Sequence, residues 1–246
     1  MTVLGITHPL STTVVAGSSS AGDGLANLLT PHPREAFAAA AAGQVAITLD
    51  LGTAQPVDTV FLGFTNAEAG EAFAVQDGGG ATLFAGAFAH SYRRRPMRHA
   101  VAQLPAPVVT RTLRLVATTA RPLVAGVAAA GLSVRPASGH EWGAGRPIAD
   151  PGRAERLLDG GFAVQRGGVG GGWSWTMPAL TDDEAERLYA LSLDAGTGET
   201  VLVVEAGDAP VAANERLHWG LLTKLEPFAR QQPGETKWAM QVQDWA

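Results

Sequence analysis

The sequence predicts a mainly β protein of two domains, in which a β-sandwich is followed by a second β-sandwich that carries one α-helix. Three observations lead to this fold class. Short apolar runs separated by Gly, Pro, Asn and Asp recur along the first half at the spacing of sandwich strands. A strong helix-start signal stands at Thr181, in the second half. The two halves also differ in charge and in tryptophan content, which is typical of two domains.

Charge and tryptophan locate the domain boundary. Residues 1–136 carry nine arginines and seven acidic residues, whereas residues 137–246 carry nine basic and 16 acidic residues. All six tryptophans lie from Trp142 onward. A turn-forming cluster at 135–139 separates the two compositions. We therefore predict domains at 1–136 and 137–246.

Composition and motifs exclude several classes of function. The 246 residues include no cysteine, which rules out disulfides, thiolate metal sites and cysteine nucleophiles. The net charge of −5 argues against a nucleic-acid binder, because such proteins replace phosphate counterions with Lys and Arg. The six histidines lack metal-ligand spacing, and no nucleophile or phosphate-loop motif occurs. We predict no catalytic residue, no metal and no cofactor.

The sequence also lacks membrane signals. Its start does not have the basic and apolar pattern of a secretory signal, and no apolar run is long enough to span a bilayer. We expect a soluble protein that is made in the cytoplasm and does not insert into a membrane.

Strand signals run through the first domain. Alternation of large apolar with smaller or polar side chains predicts strands at 45–52, 57–64, 71–76, 81–87, 100–104 and 110–116. Residues 34–42 have helical composition, although their alanines fit a short surface turn equally well. The expected structure is an antiparallel sandwich.

Three segments of this domain resemble a known family. They read AGDGLANLLTPHPREAFAA, VAITLDLGTAQPVDTVFLGF and RTLRLVATTARPLVAGVAAAGL. Together, over residues 10–134, they resemble the galactose-binding-like jelly roll of discoidin and coagulation-factor type C domains. The resemblance implies a jelly-roll β-sandwich that binds glycans, lipids or other macromolecules through loops at one end. The tryptophan common after the first segment is absent, with Phe37 nearest to it, so we carry over the fold and not the ligand.

A basic loop at 90–99 is the candidate ligand-binding surface of the first domain. Guanidinium groups bind oxyanions bidentately, so this loop could hold a sulfate, a phosphate or an anionic polysaccharide. The alternatives are a solvated hairpin rim or a contact with an acidic neighbouring subunit. The candidate residues are Tyr92, Arg93, Arg94, Arg95 and Arg98.

An acidic cluster in the second domain is explained by a helix start. Thr181 followed three residues later by Glu184 forms a capping box, and Asp182 and Asp183 then favour the positive end of the helix dipole. Apolar spacing continues the helix over about 182–194, with a stripe predicted at Ala185, Leu188, Tyr189 and Ser192 and with Leu191 beside it. Adjacent helical acids diverge, so we do not predict a paired-carboxylate catalytic site here.

Tryptophan-bearing strands surround this helix. Trp173, Trp175 and Met177 share one face of a strand, residues 200–205 form a buried strand, and 217–225 contain a bulge. The glycines at 167–172 form either a hairpin tip that orders on a neighbour or a mobile loop. The tryptophans form a dense core or include interface anchors. The candidate subunit-interface residues are Trp173, Trp175, Trp219 and Trp245.

The pattern of residues 140–246 resembles a second family. The motifs W-x-W-T-M-P, L-T-D-D-E-A-E-R-L, V-L-V-V-E, H-W-G-L-L-T-K-L-E-P and K-W-A-M-Q-V-Q-D-W occur in this order. They resemble the β-sandwich-plus-helix domain of bacteriophage and gene-transfer-agent tail proteins, namely minor tail, distal tail and tail-tube subunits. The resemblance implies ring assembly and no catalysis.

Three functional classes follow. The first is a structural component of a phage tail tip or baseplate, located in the virion tail. Its partners would be its own copies in a ring, the hub, the tail tube, the tape-measure protein and a host surface glycan. The second class is a free-standing carbohydrate-binding module or adhesin. The third is a glycan hydrolase whose site has no recognisable motif.

Overall fold

The computed structural model describes residues 4–17, 24–93, 97–206 and 214–245. Contacts between Cα atoms divide the chain into two compact units. The first unit comprises Met1–Arg135 and Val204–Leu217, and the second comprises Pro136–Val203 and His218–Ala246. The assignment of 204–217 to the first unit has no counterpart in the sequence prediction.

The first unit is an antiparallel β structure. Its main sheet has the strand order β2-β4-β7-β5-β6, with β9 added to β4, and the pairs β3–β8 and β1–β10 lie outside this sheet. Segment 34–42, for which the sequence left a helix and a short surface turn open, contains a short strand and turns. The strands are β1 (Gly5–Thr7), β2 (Thr13–Gly17), β3 (Phe37–Ala38), β4 (Gly43–Thr65), β5 (Ala72–Asp77), β6 (Thr82–Ala87), β7 (Arg98–Thr119), β8 (Val124–Ala125), β9 (Val127–Gly131) and β10 (Ser133–Val134).

Four of the predicted strands are two long, bent strands. β4 joins the segments predicted at 45–52 and 57–64, and β7 joins those predicted at 100–104 and 110–116. The two strands pair with each other along most of their length, and the register shifts near Asp58. The prediction split them because Gly52 and Pro56 are turn formers, but proline is tolerated in a strand beside a bulge.

A buried ion pair stabilises the bend of β4 and β7. Asp58 is 4% exposed, and its carboxylate lies 3.2 Å from Nη2 of Arg135. The same carboxylate accepts hydrogen bonds from the N–H and hydroxyl of Ser133. Arg135 also donates to the carbonyl oxygens of Leu104, at 2.7 Å, and of Asp58, at 3.1 Å. One guanidinium therefore satisfies a carbonyl on each long strand at the bend.

The apolar core of the first unit draws on both halves of these strands. Leu49 and Leu113 come from one half of the β4–β7 pair, and Val60 and Ala102 come from the other. Phe73 of β5 is fully enclosed among them. This shared core confirms the predicted β-sandwich.

The second unit combines a sheet, a helix and a separate hairpin. The sheet has the order β14-β15-β17-β13, with β16 added to β17, and the helix α1 packs against β13 and β17. β11 and β12 pair only with each other among the described strands. The elements are β11 (Arg153–Arg156), β12 (Phe162–Gln165), β13 (Gly172–Leu180), α1 (Asp182–Ala195), β14 (Thr200–Val204), β15 (Leu217–Leu225), β16 (Ala229–Gln232) and β17 (Glu235–Asp244).

The capping box at the start of α1 is confirmed. The N–H of Glu184 donates to Thr181 Oγ1 at 3.3 Å, and the N–H of Thr181 donates to Glu184 Oε2 at 2.9 Å. The other Glu184 oxygen accepts from the N–H of Ala137. The predicted stripe needs one correction, because Leu191 is buried and Tyr189 is 48% exposed. Across the described residues, no helix has the length and apolar character needed to cross a membrane.

We expect Asp58→Ala to lower the free energy of unfolding by about 2–3 kcal/mol, because it removes the anion beside the partly buried guanidinium of Arg135 and the acceptor of the buried Ser133 N–H. Urea denaturation followed by circular dichroism measures this loss. The matched control is Asp50→Ala, which breaks the exposed pair with Arg111. Exposed pairs are screened by water, so equal losses in the two variants would contradict the structural role of Asp58.

We expect the stabilising effect of Glu184 to depend on pH. Partial burial alone would raise the pKa of Glu184, but hydrogen bonds from Ala137 and Thr181 outweigh it and hold this pKa below the ordinary 4.5. A lowered carboxyl pKa stabilises the fold above the ordinary value, and the effect is lost as pH falls through the folded-state pKa.

Glu184→Gln should therefore be less stable than the parent by about 0.5 kcal/mol at neutral pH. This difference should shrink below the ordinary pKa of 4.5. Denaturation at a series of pH values measures it. Glu186→Gln, at an exposed position on the same helix, is the control. A difference that stays constant into the acid range would refute the assignment.

Candidate functional site

A loop between β6 and β7 presents the candidate ligand-binding residues. Phe88 is buried at its base, and the N–H of Ala89 donates to the carbonyl oxygen of His99 at 2.8 Å, which closes the loop. Residues 90–93, which we call the rim, follow at once. His90, Tyr92 and Arg93 are exposed in the rim, whereas Ser91 is buried.

The rim is fixed by two residues that are distant in sequence. The N–H of Asn214 donates to the carbonyl oxygen of His90 at 2.7 Å, and its side chain accepts from the N–H of His99 and donates to the carbonyl oxygen of Met97. Glu215 accepts hydrogen bonds from the hydroxyl of Ser91 and from the N–H of Tyr92. These two residues hold both ends of the loop, and no sequence pattern marked them as part of a site.

Tyr92 is the most exposed aromatic side chain described in the first unit. It is 85% exposed, and its ring meets the ring of His90 edge to face, with centroids 5.0 Å apart at 71°. Arg93 is exposed beside it, and the N–H of Arg93 donates to Ser91 Oγ. The rim therefore combines an accessible aromatic face, an imidazole and a guanidinium.

The other predicted ligand-binding residues lie elsewhere. Arg98 is turned away from the rim, since its guanidinium donates to the carbonyl oxygen of Ala67 and lies 3.6 Å from Glu68. Arg94 and Arg95 lie outside the described residues. His99 is buried, and its Nδ1 accepts from the N–H of Phe64. Of the predicted set, Tyr92 and Arg93 are the two that the structure places together.

Three of the predicted interface tryptophans lie in the core. Trp173, Trp175 and Trp219 are at most 4% exposed, because β13 and β15 turn these side chains inward. The rings of Trp173 and Trp175 stack at 4.3 Å. Trp245 is half-buried, and its Nε1 donates to Thr200 Oγ1. An interface role for Trp245 remains a prediction.

A hairpin that the sequence did not predict protrudes from the second unit. It spans residues 153–165, and we call it the arm. Its two strands pair from Arg153–Gln165 to Arg156–Phe162, and every residue from 153 to 169 is exposed. The glycine-rich segment, expected to be either a hairpin tip or a mobile loop, connects the arm to β13 and is not the tip of the arm. No strand signal marked β11, because RAER lacks apolar alternation.

Among the described residues, no accessible group of side chains is arranged for catalysis. No group of three His, Cys, Asp or Glu side chains there could hold a metal ion. His218 lies 2.9 Å from Asp244, but the histidine is 2% exposed and its ring is parallel to that of Trp173, with centroids 6.0 Å apart. Asp244 is partly exposed, but the enclosed imidazole of His218 is out of reach of a substrate in solution.

Of the known proteins compared with this chain, solved structures alone gave matches. No protein-family model and no curated protein matches the chain. It is similar to the CBM32 of AlyQ in complex with 4,5-unsaturated mannuronic acid, at 18% identity and a TM-score of 0.39, over 50% of this chain and 97% of that chain. It is also similar to CBM32-1 from a family 31 glycoside hydrolase from Clostridium perfringens, at 11% identity and a TM-score of 0.36, over 50% and 95%.

A third similar structure is a pectin binding carbohydrate binding module, at 14% identity and a TM-score of 0.35, over 50% of this chain and 91% of that chain. These three structures are non-catalytic modules.

Proposed function

We propose that the protein is a non-catalytic glycan-binding protein that holds its ligand at the rim of the first unit. One observation carries the proposal: Tyr92 is almost fully exposed on a loop that Asn214 and Glu215 fix in place. A surface that is already ordered before binding loses little conformational entropy when a ligand arrives. An exposed tyrosine on such a loop is therefore a favourable contact point.

The chemistry of the rim fits a saccharide. The tyrosine ring offers an apolar face to the C–H face of a sugar ring, and its hydroxyl can donate or accept a hydrogen bond. His90, in edge contact with this ring, adds a second polar group. Arg93 offers a guanidinium, which pairs with carboxylate or sulfate through two parallel hydrogen bonds. We therefore expect the rim to prefer acidic saccharides over neutral ones.

Calorimetric titration of the full chain with an oligouronate and with its neutral counterpart tests this proposal. Tyr92→Ala should weaken oligouronate binding by about tenfold, because it removes an aromatic contact worth about 1 kcal/mol or more. Arg93→Gln should reduce the preference for the acidic saccharide while leaving the neutral one nearly unchanged.

The control variant is Tyr189→Ala. It removes the other of the two tyrosines, which lies in the second unit. Oligouronate binding should be the same in this variant as in the parent. An equal loss in both tyrosine variants, or no saccharide binding by the parent, would overturn the proposal.

A structural subunit of a phage tail is the second candidate function. The observation that favours it is the arm, since a hairpin exposed along its whole length is suited to contact with a neighbouring protein. The order of tryptophan strands and capped helix in residues 140–246 also resembles tail domains. The comparisons with solved structures give this candidate no support.

Genomic position and particle composition test the second candidate. A tail subunit should be encoded beside genes for a tape-measure protein and a tail hub. Mass spectrometry of purified particles should then detect the chain. Neighbouring genes for sugar metabolism, together with absence of the chain from particles, would refute a tail role.

A further inference from the structure

The arm has two chemically different faces. Side chains alternate across a strand, and the register places Arg156 opposite Phe162 and Ala154 opposite Val164 on one face. That face is apolar except for one arginine. The opposite face is mainly polar, with Arg153, Glu155, Ala163 and Gln165.

The apolar face of the arm is uncovered. Phe162 is 66% exposed and Val164 is 61% exposed, while Leu158 in the connecting turn is fully exposed. An isolated two-stranded hairpin is only marginally stable in water, so it gains stability when another surface covers its apolar face. We therefore expect another surface to cover the apolar face of the arm.

The second unit also contains an apolar groove of about 700 Å³ between α1 and the segment from Leu225 to Trp238. Three aromatic rings line the groove, each in contact with the next. Tyr189 meets Phe228 edge to face at 5.5 Å, and Phe228 stacks on Trp238 at 4.1 Å. Leu193, 66% exposed, extends the apolar lining along the helix.

The charges of the groove and the arm are complementary. Three carboxylates line the groove, from Asp182, Glu186 and Glu226. Asp182 pairs with Arg230 and Glu226 pairs with Lys224, so Glu186 is the lining carboxylate for which the described residues show no ion pair. The single charge on the apolar face of the arm is the positive Arg156. An apolar surface with one cation thus matches an apolar groove with one carboxylate, that of Glu186, left to receive it.

We propose that the arm of one copy of this chain docks in the groove of a second copy, with Phe162 against the aromatic lining and Arg156 near Glu186. Each copy contributes one arm and one groove, so two copies can exchange arms in a closed dimer, or each copy can dock in the next to form a ring or a filament. The proposal concerns the second unit alone and does not depend on glycan binding at the rim.

Cysteine cross-linking tests this docking directly, because the chain has no native cysteine. Ala163→Cys marks the polar face of the arm, and Ala190→Cys marks the exposed side of α1; both positions are exposed. The two full-length variants are mixed and treated with a short bismaleimide. We expect the cross-linked species to join residue 163 of one copy to residue 190 of the other.

The controls separate docking from random collision. Ala85→Cys, at an exposed position on β6 of the first unit, sets the background level. Adding Phe162→Ser to the Ala163→Cys variant should reduce the cross-link to that background. Cross-links that form only between identical positions, or none above background, overturn the proposal. A chain that sediments as a monomer at every concentration also overturns it, and the partner of the arm would then be a different protein.

A charge exchange tests the register of docking. Arg156→Glu should weaken self-association by about tenfold in sedimentation velocity, because it places like charges together. Combining Arg156→Glu with Glu186→Arg should restore association, since the pair is re-formed with reversed signs. Failure of the double variant to recover would contradict the proposed contact between these positions.

Discussion

The guanidinium of Arg135 holds the bend on which the first unit depends. Where β4 and β7 change register, backbone carbonyls lose their ladder partners, and an unpaired buried carbonyl is costly. Arg135 donates to one carbonyl on each strand, and Asp58 neutralises its charge. In the same sheet, β2 and β9 pair with β4, β5 pairs with β7, and β6 pairs with β5. The loop that carries Tyr92 leads into β7. The ion pair therefore stabilises the two long strands, while Asn214 and Glu215 hold the rim itself.

Elements that are determined by interactions between residues close in the sequence were predictable. The capping box joins Thr181 to Glu184, three residues away, so the start of α1 follows from local chemistry. The inward face of β13 follows from alternation, which Trp173 and Trp175 display. The continuity of β4 was not predictable, because Gly52 alone indicates a turn. The chain does turn locally at Gly52, where φ is 77° and the register shifts, but pairing with β7 resumes at Gln55 and so joins the two predicted strands.

The candidate site was half predictable for the same reason. Tyr92 and Arg93 stand out in the sequence as an aromatic and a cation in a loop, and the structure exposes both. Asn214 and Glu215 lie more than 100 residues away in an unremarkable polar segment, so no local pattern links them to the rim. The tryptophans are conspicuous in the sequence, but their role could not be predicted, because cores and interfaces are both rich in this residue. Composition alone cannot distinguish these two uses.

The exposed apolar groups of the two units differ in kind, and this difference separates their roles. Tyr92 is a single ring on a fixed loop, and such a point contact suits a small, reversible ligand. The arm instead presents a continuous face from Phe162 to Val164 on a hairpin that cannot shield it. Single-chain folding gains nothing from leaving such a face in water, whereas an interface recovers the free energy of burying it. Its exposure is therefore best explained by assembly, in which the acidic, aromatic groove of a second copy supplies the missing surface.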